Sequence, residues 1–574
     1  MRTPSQSELA GSFPVWLCEI DWHGRKYRFS TYPLTLEDSA ETIAFDGGLE
    51  DPDFSQKMES ISTDIEDDGI TLELVFSEDL VRMLMVEGLS LDRASGEISY
   101  VLEKGGIIQQ TYVDRFKLFS GDVIQPIIGD PSKPVGYVAL SLERNPLNRP
   151  VRVIREDQVI ILDANFDTAH DTSAGQIMPF VFGIPGGFLE PSGSTYATRN
   201  PFCTPAIICA HTMGALPDGE DAIVRLLIAG HHVRASKVYI LDYFGNSYWL
   251  DVDNTVTVGG VDYARASFAY GTWDGATLTK TTGLVHPWMS GAETSTPTYW
   301  AGWSDTYGGG AENTWSSGEL TKAGDIIRYF LALTGVDVDF QAWANVAPAL
   351  NGYEFAGFIN DPEVSAYEWL MDNILPLLPV EVVNGPDGLR PVLSLLISPQ
   401  YMPPTGALIE GVGVYLHGPL RSLTEPDDIL NGVSLRYGWS GVIDDYRVSF
   451  SISGSPRALT GELAGATEIA RLSYSRFGDR YEEHVSPYIY HEVSAAKVAR
   501  LLIRKRALIW REVEFIADPE WGWLHVGDVI ELSSSSLHLS RARLQISQKR
   551  WEKGGWIFSF IFEENPALNM RSIT

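Results

Sequence analysis

The residues best suited to catalysis or metal binding are the histidines, and their spacing forms no known motif. His231 and His232 are adjacent, so their side chains would point to opposite faces of a strand. The sequence contains no His-Glu-x-x-His motif, no cysteine pair at zinc spacing and no Gly-x-Ser-x-Gly elbow. We therefore expect no enzyme activity and no bound metal or other cofactor. The eleven histidines are His23, His170, His211, His231, His232, His286, His417, His484, His491, His525 and His538.

Two other patterns invite a chemical interpretation. Residues 183–187 are rich in glycine, but no Lys-Ser/Thr pair and no helix pattern follow, so a tight interdomain turn is favoured over a phosphate-binding loop. Acidic residues crowd 37–68 without the regular spacing of a calcium loop, which favours a solvated surface. Paired carboxylates could serve a glycosidase, but a chain with 75 Asp and Glu residues offers many accidental pairs.

Five tryptophans punctuate a segment, residues 258–318, that is rich in Gly, Thr and Ser and poor in charge. Exposed aromatic rings among polar residues suit a protein interface or saccharide stacking. The favoured alternative is that these rings form the small core of a loop-rich β-subdomain. The candidate contact residues are Trp273, Trp288, Trp300, Trp303 and Trp315.

Charge and cysteine content limit the classes of function. A net charge of −32 argues against wholesale nucleic-acid binding, because neutralising phosphates needs clustered Lys and Arg, and we expect no sequence-specific nucleic-acid binding. The three cysteines cannot form a disulfide framework; Cys203 and Cys209 are close enough to pair, but buried free thiols are favoured over a disulfide. Neither a signal peptide nor a stretch of about 20 apolar residues is apparent, so we expect no integral membrane segment and assembly in a cytoplasm.

The elements that would position such residues are mostly strands. A turn at His23-Gly24 predicts a hairpin over 15–30, and alternation predicts a strand over 70–76. Further strands are predicted at 151–154, 159–162 and 429–453, and from residues 512, 529, 542 and 556. Helices are predicted at 322–333, from an Asp361-Pro362 cap to 374, and at 494–510. An Asn-Gly/Asp-Gly hairpin is predicted over 380–393.

The two ends of the chain carry a similar pattern. Gly-Asp-Val-Ile at 121–124 precedes a strand-like run that closes on Glu-Arg-Asn-Pro at 143–146. The same four residues at 527–530 precede a run that closes on Glu-Glu-Asn-Pro at 563–566. In each case the Gly-Asp pair is expected to be a turn that starts a strand. Either a duplicated β-module or a chance match would give this pattern.

The order of these parts resembles the hub and tail-tip proteins of long-tailed bacteriophages and of related gene-transfer particles. The likeness is carried by Asp-Pro-x-x-x-x-Tyr-x-x-Leu at 361–370 with its following hairpin, by the helix pattern Ala-Ala-Lys-Val-Ala-Arg-Leu-Leu at 495–502, and by Leu-His-Val-Gly-Asp-Val-Ile-Glu-Leu at 524–532. It is best over 320–566, weaker over 1–260, and absent over the tryptophan-rich segment.

The resemblance implies a mainly β, multidomain chain with α+β parts. Two tail-tube-like β-barrels would flank β-rich and small α/β domains. The domains would be a first barrel at 1–150, a β-rich domain at 151–320 containing the 258–318 insertion, a small α/β domain at 321–408, and a second barrel at 409–574 containing helix 494–510.

The same resemblance implies a structural virion protein, a baseplate hub at the distal end of a phage tail. Three chains would contribute six barrels and so join a six-fold tail tube to a three-fold tip. The expected partners are further copies of the chain, a tail tube or distal tail protein, and a central tip or fibre protein. The alternatives are a receptor- or carbohydrate-binding tail-tip protein and, less favoured, a cell-wall glycan hydrolase.

Overall fold

The fold was analysed in a computed structural model, and it is mainly β and multidomain, as expected. No helix among the described residues has both the length and the apolar character that a membrane crossing requires. The described residues are 11–38, 41–57, 70–128, 132–133, 135–144, 151–153, 175–186, 202–211, 221–242, 247–258, 261–273, 278–280, 299–304, 307–395, 403–455, 464–552 and 554–563.

The first module is a sheet with the strand order β3-β4-β2-β1-β7-β9-β10-β6, and β8 pairs with β7. Its elements are β1 (Phe13–Trp22), β2 (Arg25–Ser30), β3 (Leu34–Asp38), β4 (Glu41–Gly47), β5 (Ser55–Lys57), β6 (Ile70–Val75), α1 (Glu78–Met85), β7 (Ser95–Lys104), β8 (Ile107–Ile108), β9 (Phe116–Ile128) and β10 (Tyr137–Glu143). The predicted strand at 70–76 is confirmed as β6.

The first hairpin is also confirmed. His23 and Gly24 have φ angles of 49° and 75°, which is the left-handed backbone that a two-residue hairpin turn needs at both positions. Residues 46–53 then close the sheet into a barrel. The amide of Leu49 donates to Ser30 on β2, and the amides of Glu50 and Val75 link this segment to β6. Among the described residues of this module, these bonds leave no long exposed edge between β2 and β6.

The middle of the chain forms a second closed barrel that the sequence analysis did not predict. Strands β13-β12-β18-β14-β15-β16 pair in that order, β16 pairs back with β13, and β17 adds to β16. The bounds are β11 (Phe180–Phe182), β12 (Phe202–His211), β13 (Asp221–Ala229), β14 (Lys237–Asp242), β15 (Ser247–Val258), β16 (Val261–Trp273), β17 (Leu278–Lys280) and β18 (Tyr299–Gly302).

A helical region follows the middle barrel. Its hydrophobic core also contains side chains from the last module, which is described below. Its elements are α2 (Ala323–Leu333), α3 (Phe340–Leu350), β19 (Gly357–Ile359), α4 (Ala366–Asn373), a 3₁₀ helix (Leu375–Leu377), β20 (Val380–Gly385) and β21 (Gly388–Leu393). Helix α2 matches the prediction and is followed by Gly335 at φ 69°. Strands β20 and β21 form the predicted hairpin, with Pro386 and Asp387 at its turn.

Two local predictions here are wrong. Helix α4 begins at Ala366 because Ser365 is its N-cap and accepts a hydrogen bond from the Glu368 amide at 3.2 Å. Asp361 instead accepts from the amide of Glu363 and forms a local turn. Residues 151–153 form only an isolated bridge, between Arg152 and Ser365, rather than a strand. The strand predicted at 159–162 lies outside the described residues.

The last module combines a β-barrel with a helical layer. Its elements are β22 (Gly406–Ile409), β23 (Val414–Leu416), β24 (Arg421–Ser422), β25 (Gly432–Ser440), β26 (Asp445–Ser453), α5 (Ala464–Phe477), β27 (Tyr481–Val485), α6 (Glu492–Arg506), β28 (Trp510–Ala517), a 3₁₀ helix (Pro519–Trp521), β29 (Val529–Ser534), β30 (Leu539–Glu552) and β31 (Gly555–Glu563). Helix α6 is shifted from the predicted 494–510, because Trp510 already belongs to β28.

The barrel of this module has the strand order β22-β29-β30-β31-β28-β23. The turn at 410–413 joins the two outermost strands, so the edges of the sheet meet. Glu410 in this turn accepts hydrogen bonds from Ser534 and from both the amide and the hydroxyl of Ser536. These bonds hold the pKa of Glu410 at about 2, which is well below its ordinary value.

The first and last modules share a topology. Strands β6, β7, β9 and β10 lie in the order β6-β10-β9-β7, and β28, β29, β30 and β31 lie in the order β28-β31-β30-β29. All of these pairs are antiparallel. In both modules a short helix, α1 or the 3₁₀ helix at Pro519–Trp521, separates the first strand from the second. Each set is a Greek key traced in reverse chain order.

A β-bulge strengthens this correspondence. Asp122 pairs with both β7 and β10, and the register between β9 and β10 shifts within the next few residues. Gln545 likewise pairs with both β29 and β31, and the register between β30 and β31 shifts at Ser547. Bulges are specific structural features rather than random defects. The two end modules therefore share a strand order and a register shift between the third and fourth strands of the set.

The sequence similarity that suggested a duplication marks positions that do not correspond. Gly527 has φ 89° and precedes β29, as expected of a turn. Gly121 instead lies inside β9, so the prediction of a turn there is wrong. Glycine is required at position 121 because a Cβ would lie 2.6 Å from the carbonyl oxygen of Glu143 on β10.

Candidate assembly surface

The two end modules are joined by a strand that crosses between them. Strand β5 leaves the first barrel and pairs antiparallel with β30, placing Gln56 opposite Lys549. The amide of Trp551 also donates to the carbonyl of Phe54 at 3.0 Å. Strand β5 thus extends the sheet of the last module with residues from the first. We call the contact between these two modules the seam.

Aromatic side chains fill the seam. Trp16 and Tyr100 from the first barrel pack against Trp551 and Trp556 from the last, with ring centroids 5.4 to 6.1 Å apart. Phe54 completes the cluster, 5.7 Å from Trp556 in an edge-to-face arrangement. Such pairs contribute about 0.5–1.5 kcal/mol each beyond their buried area. The two barrels therefore share one hydrophobic core.

Charged groups are buried beside the aromatic cluster. Lys549 is fully buried, and burial lowers its pKa to about 7. Arg390, from the β20–β21 hairpin, lies 3.8 Å from Asp528 and donates to the carbonyl of Val526. Burial raises the pKa of Asp528 and lowers that of His525. These groups tie the hairpin to the last barrel.

The opposite side of the last barrel carries exposed apolar side chains. Five of them, between 37% and 61% exposed, lie on β22, β23 and the adjoining loops: Ile409, Val412, Tyr415, Leu416 and Leu420. We call this group the 409–420 patch. In the closed order of six strands, β22 and β23 are farthest from β30 and β31, which face the seam. Clustered exposed apolar residues are typical of interaction surfaces.

The five candidate tryptophans have different environments. Trp303 is buried in the core of the middle barrel and donates to the Thr204 hydroxyl at 2.8 Å. Trp300 is partly buried and packs close to Gly441. Trp315 is 38% exposed. Trp288 and the side chain of Trp273 lie outside what the structure describes. Burial of Trp303 removes that ring from any exposed aromatic surface.

The turn that carries Trp315 is held by a buried carboxylate. Asp325 accepts hydrogen bonds from Asn313, Ser316 and Arg328. Asn313 in turn accepts from the amides of Trp315 and Ser316. The Trp315 ring stacks on Phe340 at 5.0 Å, and the guanidinium of Arg328 lies 4.8 Å from its centroid. Trp315 is thus an exposed aromatic residue with a fixed orientation.

The described residues contain no group of three or more His, Cys, Asp and Glu side chains that could hold a metal ion. His231 is half-buried and accepts a hydrogen bond from the amide of Val181 at 2.9 Å, and desolvation of the ring lowers its pKa to about 4. Cys18 and Cys203 are buried free thiols, which excludes a disulfide to Cys203. The side chain of Cys209 is not among those described.

Three solved structures show low similarity to this chain. The 43 kDa tail protein of prophage MuSo2 from Shewanella oneidensis has 9% identity over 96% of this chain and 99% of the other, with a TM-score of 0.34. A native gene transfer agent virion has 12% identity over 73% and 91%, with a TM-score of 0.39. Prophage tail protein gp18 from Listeria monocytogenes EGD-e has 12% identity over 65% and 92%, with a TM-score of 0.25.

No family model and no curated protein matches the chain. Because all three TM-scores are below 0.5, the function has to be argued from the chain's own architecture. The seam residues were not identified from the sequence. They come from positions 16, 54, 100, 551 and 556, and no local periodicity links positions so far apart.

Proposed function

We propose that the chain is a structural phage-tail protein that acts as a baseplate hub, with three copies forming a ring of six barrels. One observation carries the proposal: each chain fixes two barrels of the same reversed Greek-key topology side by side. Three such chains present six similar units, which would match a six-fold tail tube above and a three-fold tip below.

The 409–420 patch supports this arrangement. In a closed ring, each last barrel contacts the first barrel of its own chain on one side and that of the next chain on the other. The seam occupies the first of these sides. The exposed apolar patch lies opposite, where the next chain would bury it. Burial of apolar surface stabilises such a contact by about 25 cal/mol per Å².

We further propose that the hub binds a tail tube or distal tail protein and a central tip or fibre protein. The proposal assigns no catalytic step to the chain. The net charge of −32 supports a ring whose lumen does not retain DNA, because like charges repel. DNA binding measured against salt concentration tests this point. Tight binding at physiological salt would refute a non-retaining lumen.

The experiment for the hub combines mass measurement with two matched variants. Light scattering on the purified full chain should give three chains per particle. Ile409→Asp combined with Val412→Asp places charge in the patch and should yield monomers with an unchanged circular dichroism spectrum. Val86→Asp alters a more exposed apolar residue outside the patch, 76% exposed at the end of α1, and should leave the trimer intact. A monomeric wild type would contradict the proposal.

A second candidate function is saccharide recognition, and the fixed, exposed ring of Trp315 favours it. Glycan-array binding that is lost in Trp315→Ala but retained in Trp300→Ala would support this function. A wild-type chain that binds no glycan would exclude it.

A further inference from the structure

The small sheet of the last module has two edges that pair with no other described strand. Its strand order is β26-β25-β27, so β26 and β27 each have a partner on one side only. The side chains at 445, 447–449 and 451 on β26 are exposed, as are those at 481, 483 and 485 on β27. Exposed edge strands are sites where a strand of another molecule can pair.

The hydrogen-bond register identifies the backbone groups of β26 that β25 does not use. The amide of Gly454 donates to the carbonyl of Asn431, so these two residues form a hydrogen-bonded pair. Such pairs alternate with non-hydrogen-bonded pairs along an antiparallel ladder. The backbone groups of Arg447, Ser449 and Ser451 therefore point away from β25, toward the open edge.

The same reasoning applies to β27. The amide of Gly432 on β25 donates to the carbonyl of Arg480, and the amide of Ser486 donates to the carbonyl of Arg436 on β25. Even-numbered residues of β27 thus face β25 in this parallel pair. The backbone groups of residues 481, 483 and 485 point outward, toward the second open edge.

The two edges are complementary in direction and in charge. Strand β26 is antiparallel to β25 and β27 is parallel to it, so β26 and β27 run in opposite directions. Arg447 is exposed and has no ion-pair partner among the described residues. Glu483 is 54% exposed, and its one ion pair is with Arg436 at 3.4 Å.

Arg447 and Glu483 also lie on the same face of the sheet. Ser434 on β25 is opposite both Glu483 on β27 and Ser451 on β26, and its hydroxyl accepts a hydrogen bond from that of Ser451 at 3.1 Å. Arg447 shares the face of Ser451 because alternate side chains of a strand point the same way. A sheet continued across the two edges would bring the opposite charges together.

We propose that β26 of one copy pairs antiparallel with β27 of the next copy, with Arg447 opposite Glu483 of that copy. The inference rests on the proposed trimer, to which it adds a second contact between neighbouring copies. A contact between two different edges is head-to-tail, and such contacts can close into a ring. Pairing β26 with a second β26 would instead give a two-fold contact, which a ring of three excludes.

Cysteine cross-linking of the full chain tests this pairing. Opposed residues of a hydrogen-bonded antiparallel pair have Cα atoms about 5.5 Å apart, a separation that a disulfide can span. A chain carrying both Arg447→Cys and Glu483→Cys should give a covalent trimer after mild oxidation. Each single variant should give no cross-link, because the two positions meet only between different edges. The single variants also control for the native thiols.

A pair of substitutions at Ser449 tests the backbone contribution. Ser449→Pro removes an outward N–H without breaking a bond to β25, and an edge strand tolerates proline at such a position. It should weaken the trimer by at least about tenfold in dissociation constant, with an unchanged circular dichroism spectrum. Ser449→Ala keeps the amide and should retain the wild-type affinity.

The results separate this pairing from the hub itself. A trimeric wild type whose double-cysteine variant forms no cross-link would overturn the pairing and leave the hub proposal intact. Wild-type affinity in Ser449→Pro would have the same meaning. A monomeric wild type would overturn both proposals.

Discussion

Replacing Gly522 with alanine tests whether the two barrels pack as closely as the seam requires. The new methyl group would collide with Trp556 Nε1 and with the Tyr100 hydroxyl, which come from different modules. Neither ring can withdraw easily, because each is fully buried among other aromatic side chains. The substitution therefore forces the two modules apart by a small amount.

The magnitude follows from two opposing effects. Overpacking a well-packed core destabilises a protein by about 1–3 kcal/mol. Replacing glycine by alanine also lowers the conformational entropy of the unfolded chain, which stabilises the fold by about 0.4–1 kcal/mol. Because the φ of Gly522 is −65°, backbone strain adds nothing. We expect Gly522→Ala to lower the free energy of unfolding by about 1–2 kcal/mol.

Urea unfolding followed by circular dichroism measures this change. Gly406→Ala is the control, because its nearest neighbour is the edge of the Trp523 ring at 3.3 Å, and it should change stability by less than about 0.5 kcal/mol. A Gly522→Ala protein as stable as the wild type would show that the seam has spare room and would refute the packing described here.

Three further predictions concern local features. Ser365→Ala should cost about 1 kcal/mol in urea unfolding because it removes an N-cap, whereas Asp361→Ala should cost much less. The pKa of Glu410 is lower in the folded than in the unfolded protein, so its carboxylate stabilises the fold fully above the unfolded-state pKa and progressively less as the pH falls toward 2. Between pH 6 and pH 3 the melting temperature of Glu410→Gln should therefore fall less than that of the wild type. Burial raises the pKa of Cys18, and that of Cys203 to about 12, so site-resolved mass spectrometry should find both unalkylated in the native protein and alkylated in urea.

The elements that could be predicted from sequence are those specified locally. The His23-Gly24 hairpin needs two left-handed residues in sequence, and the amphipathic pattern of α2 ends at a glycine. The start of α4 was mispredicted because two capping signals lie four residues apart. Asp361-Pro362 matches one signal, but only Ser365 is followed by an acidic residue three positions on, as in a capping box.

The shared architecture of the end modules could not be predicted in the same way. It depends on which strands pair and where a bulge falls, and neither requires particular residues. The Gly-Asp similarity pointed to a duplication through positions that do not correspond, since Gly121 lies within β9 and Gly527 precedes β29. The middle barrel was missed because its closure joins β13 to β16, a long-range pairing. Trp303 lies in the core of that barrel.

The mass of the assembled particle tests the central claim most directly. Light scattering or native mass spectrometry of the full chain should give three times the chain mass, and an image of the particle along its axis should show six similar barrels in a ring. A stable monomer at micromolar concentration, or a ring with any other number of chains, would contradict the account.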